Sequence, residues 1–228
     1  RRMTEPRLVI FDVDGTLVDS QADILASMQA AFGATGLAVP AREEILAIVG
    51  LSLPQAMARL APKADKTARA EMVEAYKAAY LALRAEKGTP DSSPLYPHVR
   101  KVLDQLHAEP DTLLGIATGK SRRGLDKLVD GHDMRPLFVS QQCADDHPSK
   151  PHPSMILTAI SETGVDTVDT VMVGDTSYDM DMARAAGVAG IGVSWGYHAR
   201  EPLHAASRMI DRFADLPNAL DAIWKETT

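Results

Sequence analysis

From residue 99 onward the chain alternates short β-prone apolar runs with amphipathic helical stretches, and this alternation constrains the fold more than any other feature. Apolar runs at 113–117, 170–173 and 190–193 are separated by helical patterns at 121–129, 155–163 and 179–186. Residues 138–139 form a further candidate strand, Val99, Val102, Leu103 and Leu106 mark a helix, and a last helix covers 216–225. Strands joined through helices of this length pair in parallel with right-handed crossovers. An earlier run, Leu8-Val9-Ile10-Phe11, is apolar at every position, as a strand buried on both faces requires.

Between that first strand and the rest of the sheet the pattern is purely helical. Ile24, Leu25, Met28, Ala31 and Phe32 share one helical face, and Gly33 and Gly36 end it. Short helices follow over 43–49 and 54–60. Residues 63–87 contain neither Gly nor Pro, so one long helix is expected there. Residues 88–94 read as a linker. The expected architecture is therefore α/β: a Rossmann-like parallel sheet core, residues 1–17 and 93–228, with an inserted α-helical domain, residues 18–92.

Composition narrows the function. A formal net charge of -7 argues against a binder of nucleic-acid backbone. Cys143 is the single cysteine, which excludes an internal disulfide and fits a reducing, cytoplasmic setting. No apolar run approaches the roughly 18 residues that span a bilayer, so no membrane partner is expected. Nor is a secretory signal evident. Arg1 and Arg2 precede Met3 and belong either to the natural chain or to an added tail.

In parallel α/β sheets, ligands bind beyond the carboxyl ends of the strands. That rule gathers Asp12 and Asp14, Thr118 and Asp175 into one crevice. Carboxylates so gathered repel one another unless a cation joins them, and a hard ion such as Mg²⁺ suits oxygen ligands beside phosphate. An aspartate can attack phosphorus, dividing one displacement into two easier ones. A second carboxyl two residues on lies on the same side of an extended segment and can serve as acid and base.

The stretch Phe11-Asp12-Val13-Asp14-Gly15-Thr16-Leu17-Val18-Asp19-Ser20 resembles the first signature of the haloacid dehalogenase-like hydrolases. Thr118-Gly119 resembles the second and Lys150, in Ser149-Lys150-Pro151-His152-Pro153, the third. Gly174-Asp175-Thr176-Ser177-Tyr178-Asp179 resembles the fourth, with all four in family order. The resemblance implies a Mg²⁺-dependent phosphatase with Asp12 as nucleophile and metal ligand. Asp14 would be the acid/base and lend its backbone carbonyl to the metal. Thr118 and Gly119 would hold a phosphoryl oxygen, Lys150 would neutralise charge, and Asp175 and Asp179 would complete the metal shell. The helical insertion matches the family's small cap, and Gly50-Leu51-Ser52 a cap loop facing the site, which makes Ser52 a substrate candidate. The cap type points to a small phosphorylated metabolite, phosphoglycolate-like, handled by a monomer or homodimer.

Other residues receive plainer readings. Asp19 reads as a helix-start residue, Asp181 as surface, His152 as a loop residue, and Arg122 and Arg123 as a solvated helix start. Cys143 reads as an inert thiol. The scattered histidines offer no zinc spacing. Trp195-Gly196-Tyr197-His198 belongs at the crevice rim, for packing or for substrate. A sugar phosphomutase or pyrophosphatase on the same fold is the alternative. A non-catalytic binding protein is disfavoured because no catalytic group is missing, and a dehalogenase is disfavoured by Asp14.

Overall fold

Six strands form one sheet in the computed structural model, which describes residues 5–198 and 203–226. Arg1 and Arg2 lie outside the described residues. The strands are β1 (Arg7–Phe11), β2 (Thr112–Ala117), β3 (Ser140–Gln142), β4 (Thr170–Gly174), β5 (Ala189–Val193) and β6 (Arg208–Ile210). They run in the order β3-β2-β1-β4-β5-β6, and every neighbouring pair is parallel. Strand order reverses at β1, so the chain leaves β2 and β4 on opposite sides of it. The crevice beyond β1 and β4 is the switch point at which such sheets bind ligands.

The pleat sorts the core. Val9 and Phe11 pack on one face with α6 (Val99–Ala108), α7 (Arg122–Gly131) and α10 (Leu216–Glu226). Leu8 and Ile10 pack on the other with α8 (Ser154–Thr163) and α9 (Ser177–Ala186). Burial on both faces explains why β1 is apolar from Leu8 to Phe11. A third cluster is built by α1 (Gln21–Thr35), α2 (Arg42–Ala47), α3 (Leu53–Leu60) and α4 (Lys66–Lys87). Met28 and Phe32 of α1 lie there beside Met72 and Tyr80 of α4. Each large side chain so buried contributes roughly 1.5–3 kcal/mol. Asp65 caps α4 by accepting from the Ala68 N–H at 2.8 Å.

The chain passes to and from these helices through a hydrogen-bonded neck. Asp19 N donates to Pro94 O at 2.8 Å and Tyr96 N to Leu17 O at 3.0 Å, around an antiparallel Val18–Leu95 bridge.

Two sequence expectations need correction, and one strand is new. The strand expected at 138–139 lies two residues later, in β3. Phe138 is instead buried edge-on against Phe11, with centroids 6.4 Å apart, while Val139 is 55% exposed. The expected linker at 88–94 contains a short helix, α5 (Thr89–Ser92), fastened to α1 where Ser92 donates to Asp23. Strand β6 was not anticipated; it is short and at the sheet edge, where three residues carry little pattern. Among the described residues no helix is long and apolar enough to cross a membrane.

Candidate active site

Asp12 follows β1 and remains part of the sheet, its N–H donating to Val173 O of β4 at 3.0 Å. This bond carries the Asp12 side chain over the switch point, where Asp175 arrives from the end of β4. Asp179, in the first turn of α9, completes a trio whose carboxylate oxygens lie within 4.8 Å of one another. All three residues are buried.

Among the described residues, Lys150 is the one cation paired directly with the trio. Its Nζ, also buried, donates to Asp12 Oδ1 at 2.9 Å and to Asp179 Oδ1 at 2.7 Å. Burial works against its charge, but the two carboxylates more than offset this and raise its pKa above the usual lysine range. Asp179 also holds its own helix end. Its Oδ2 accepts from Thr176 N at 3.1 Å and Thr176 Oγ1 at 2.8 Å, and the Thr176 hydroxyl accepts from Asp179 N. Asp175 accepts from Thr16 Oγ1 at 3.1 Å and Tyr197 N at 2.8 Å.

One oxygen stands out: Asp12 Oδ2 is buried without a hydrogen-bond partner. Burial, then the charge of Asp179, push the Asp12 carboxyl up from 3.8 to about 7 against the pull of Lys150. Burial and the charges of Asp12 and Asp179 likewise raise Asp175 well above the usual carboxylate range. Three buried carboxylates around one orphaned oxygen form an all-oxygen donor set. Such a set fits a hard divalent cation such as Mg²⁺.

Asp14 stands apart from the trio. Its Oδ1 accepts from Ser20 Oγ at 2.5 Å and pairs with Lys120 Nζ at 3.1 Å. Burial lowers the Lys120 pKa, but the neighbouring Asp14 reverses this and the ammonium stays charged. Gly15, between the two aspartates and Thr16, adopts φ 84° where a side chain would strike Asp175. Thr118 is buried at the end of β2, and its Oγ1 accepts from Lys120 N at 3.2 Å. Gly119 lies under the helical lobe: a Cβ there would stand 2.5 Å from Gly50 O and 2.8 Å from Leu51 O.

The lobe is seated on the sheet by several bonds. Ser52 N donates to Ser149 Oγ at 3.0 Å, while Tyr178 Oη and His198 Nε2 both reach Ala47 O at 2.9 Å. Between lobe and sheet lies a chamber of about 560 Å³, lined at one end by Asp12 and Asp14. Gly50 and Leu51 line it, and Ser52 contributes its backbone to the seam instead. Arg122 is clasped by Asp146 at 3.0 Å, whereas Arg123 reaches the chamber wall. Asp19 accepts from Gln21 at the helix start, Asp181 pairs with Arg184 on the surface, and Cys143 is buried and free.

Sequence reasoning assigned no role to Thr16, Ser20, Lys120 or Ser149. The rim residues, considered for packing or substrate, are now placed by their contacts. Tyr197 accepts from Ser20 N at 2.9 Å and Trp195 Nε1 donates to Thr16 O at 3.2 Å, so both brace the loop carrying Asp12 and Asp14.

The model of the haloacid dehalogenase-like hydrolase family matches residues 9–193. The chain belongs to this family of hydrolases. It is 36% identical over 225 residues to a probable phosphatase IndB of Dickeya dadantii, covering 96% of this chain and 95% of that protein. It is 29% identical over 227 residues to a phosphoglycolate phosphatase of Xylella fastidiosa, covering 97% and 95%. Among solved structures, a hydrolase from Pseudomonas syringae superposes with a TM-score of 0.83 at 24% identity, covering 95% of this chain and 99% of that one. The last likeness concerns the fold: a Rossmann-like core with a helical cap. For a haloacid dehalogenase-like hydrolase with curated phosphatase relatives along its whole length, the expected class of phosphoric monoester hydrolase stands.

Proposed function

We propose that this hydrolase cleaves a phosphoric monoester by moving the phosphoryl group first to Asp12 and then to water, with Mg²⁺ bound by Asp12, Asp175 and Asp179. The observation that carries this reading is Asp12 Oδ2: a buried carboxylate oxygen with no partner, on a residue that lines the chamber and clusters with the carboxylates of Asp175 and Asp179. When bound, the divalent ion supplies positive charge that lets an anionic nucleophile and an anionic ester approach.

The chain's own residues perform the remaining work. Asp12 attacks phosphorus while the bond from phosphorus to the ester oxygen breaks. Asp14 gives that leaving oxygen its proton, then takes one from the water that attacks the phosphorylated Asp12. Ser20 and Lys120 fix the orientation of Asp14 for both steps. Lys150 holds Asp12 from the side opposite its free oxygen and offsets the charge of the trio. Thr118 and the Gly119 backbone border the place where the phosphoryl oxygens would lie. Residues 18–92 act as a cap that excludes bulk water from the phosphorylated intermediate.

Phosphoglycolate is the first substrate to assay because the relatives' names point to it. A mutase would pass the phosphoryl group to a sugar, and a pyrophosphatase would need no organic group at all. The free Cys143 is compatible with a cytoplasmic enzyme. The test is phosphate release from para-nitrophenyl phosphate with and without Mg²⁺, for the natural chain and Asp12→Asn. Release should require the metal and fall to background in the variant; undiminished release by Asp12→Asn removes the nucleophile.

A further inference from the structure

The chamber beside Asp12 is far larger than a two-carbon acid needs. At roughly 30 Å³ per water molecule, its 560 Å³ corresponds to the space of roughly nineteen waters. This volume is not a gap left by a lifted cap. The lobe is already seated through Ser52–Ser149, the two bonds to Ala47 O and the bond from Arg84 Nη1 to Gly124 O.

Much of the chamber wall is apolar, with Met28, Val49, Leu51, Leu53, Tyr76 and Leu81 among its lining residues. Of the cations nearest the carboxylates, Lys120 pairs with Asp14, and Arg84, only 7% exposed, lies over the Tyr80 ring at 5.1 Å and donates from Nη1 to Gly124 O, its Nε and Nη2 buried without a partner. Arg123 and Lys127 also line the chamber and are exposed, where they can draw in an anion, and the exposed Lys77 pairs with Glu74 at 3.3 Å.

The two tyrosines of α4 differ in freedom. Tyr80 is fixed: cations sit over its ring at 4.9 and 5.1 Å, and its hydroxyl shares a hydrogen bond with Ser93 at 3.1 Å. Tyr76, its ring 6.0 Å away and tilted by 30°, is partly exposed on the chamber wall, and no described residue bonds its hydroxyl. An aromatic face with an unengaged hydroxyl is suited to reading a ligand.

We infer that the substrate of this enzyme is a phosphoric monoester whose alcohol carries an apolar body at least the size of a phenyl ring, and that Tyr76 is the specificity-determining residue that packs against it. The inference rests on the phosphatase reading and adds the substrate class. A small ester fills only the carboxylate end and leaves the apolar wall to water; a bulky one covers it and gains binding in every state from capture to transition state.

The experiment compares kcat/KM, with Mg²⁺, for 2-phenylethyl phosphate, ethyl phosphate and phosphoglycolate. The first two are alkyl esters with leaving groups of similar acidity, so their ratio reports the body and not the chemistry. Burying a phenyl-sized group should favour the phenylethyl ester by ~10–100-fold over both small substrates. Tyr76→Ala should cut the phenylethyl-to-ethyl ratio by ~10-fold, and Tyr76→Phe should retain most of it. Equal or better turnover of phosphoglycolate or ethyl phosphate overturns the inference while leaving the phosphatase reading intact. A ratio unmoved in a folded Tyr76→Ala protein overturns the role of Tyr76. Absence of metal-dependent phosphate release from every ester, para-nitrophenyl phosphate included, overturns both readings together.

Discussion

Removing the proposed nucleophile should make the metal-free protein more stable. In the folded chain the Asp12 carboxyl is pushed up to about 7 from an ordinary 3.8. Ionising it in place therefore costs about 4 kcal/mol at 1.36 kcal/mol per pH unit. Between those two values the folded protein keeps a proton that the unfolded chain has released. Stability accordingly falls as pH rises through this window and stays low above it. Asparagine has the shape of the protonated acid and can still accept from Lys150, so Asp12→Asn escapes the penalty. Halving the figure for imperfect amide contacts leaves a gain of about 2 kcal/mol at pH 8, or about 4–8 °C in Tm for a chain of this length. At pH 5 the natural protein is still largely protonated at Asp12, and the gain should shrink to under about 1 kcal/mol. The assay is thermal unfolding in excess EDTA at both pH values, repeated with Mg²⁺. The ion should raise Tm of the natural chain more than that of the variant. A variant no more stable than the natural chain at pH 8 without metal, or a gain identical at pH 5 and 8, would refute the picture of a strained, orphaned carboxylate.

Asp14→Asn should slow turnover by ~10²–10⁴-fold, the range for losing a general acid/base, while the Mg²⁺-induced rise in Tm survives; kcat within threefold of the natural enzyme would exclude the role. Lys150→Met leaves Asp12 and Asp179 without their shared cation and should cost about 3–5 kcal/mol in EDTA. Urea unfolding measures this, and a loss below about 1 kcal/mol would show that the lysine is dispensable. Gly119→Ala forces a methyl group against the Gly50 and Leu51 carbonyls and should lower kcat/KM by ~10–10²-fold through displacement of the cap loop. Steady-state kinetics decides it, and a change under twofold would mean that the loop yields freely.

What the sequence disclosed follows from where its periodicities are strong. Strands β1, β2, β4 and β5 are buried on two faces, so each is a continuous apolar run, and the polar residue ending each run marks the crevice. Asp12, Asp14, Thr118 and Asp175 are legible for this reason. Lys150 sits in a loop with no period, and only the likeness to a known family singled it out. The bracing residues were hidden by distance along the chain: Ser20 meets Tyr197 across 177 residues and Thr16 meets Asp175 across 159. Strand β6 and helix α5 are too short to carry a pattern, and a turn-rich composition at 88–94 concealed the latter. Chamber size depends on how the helices sit over the sheet, which no local pattern encodes.

The bridged neck joining the helices to the sheet has a mechanical consequence. Both passages of the chain run side by side through one hydrogen-bonded neck, which would serve as the pivot for any tilt of the helices. Ser20, just past that pivot, grips the Asp14 carboxylate at 2.5 Å and the Tyr197 hydroxyl beside it. If Asp14 is the proton donor proposed above, any such tilt would drag on it, so that letting a product out and disarming the acid would be one movement.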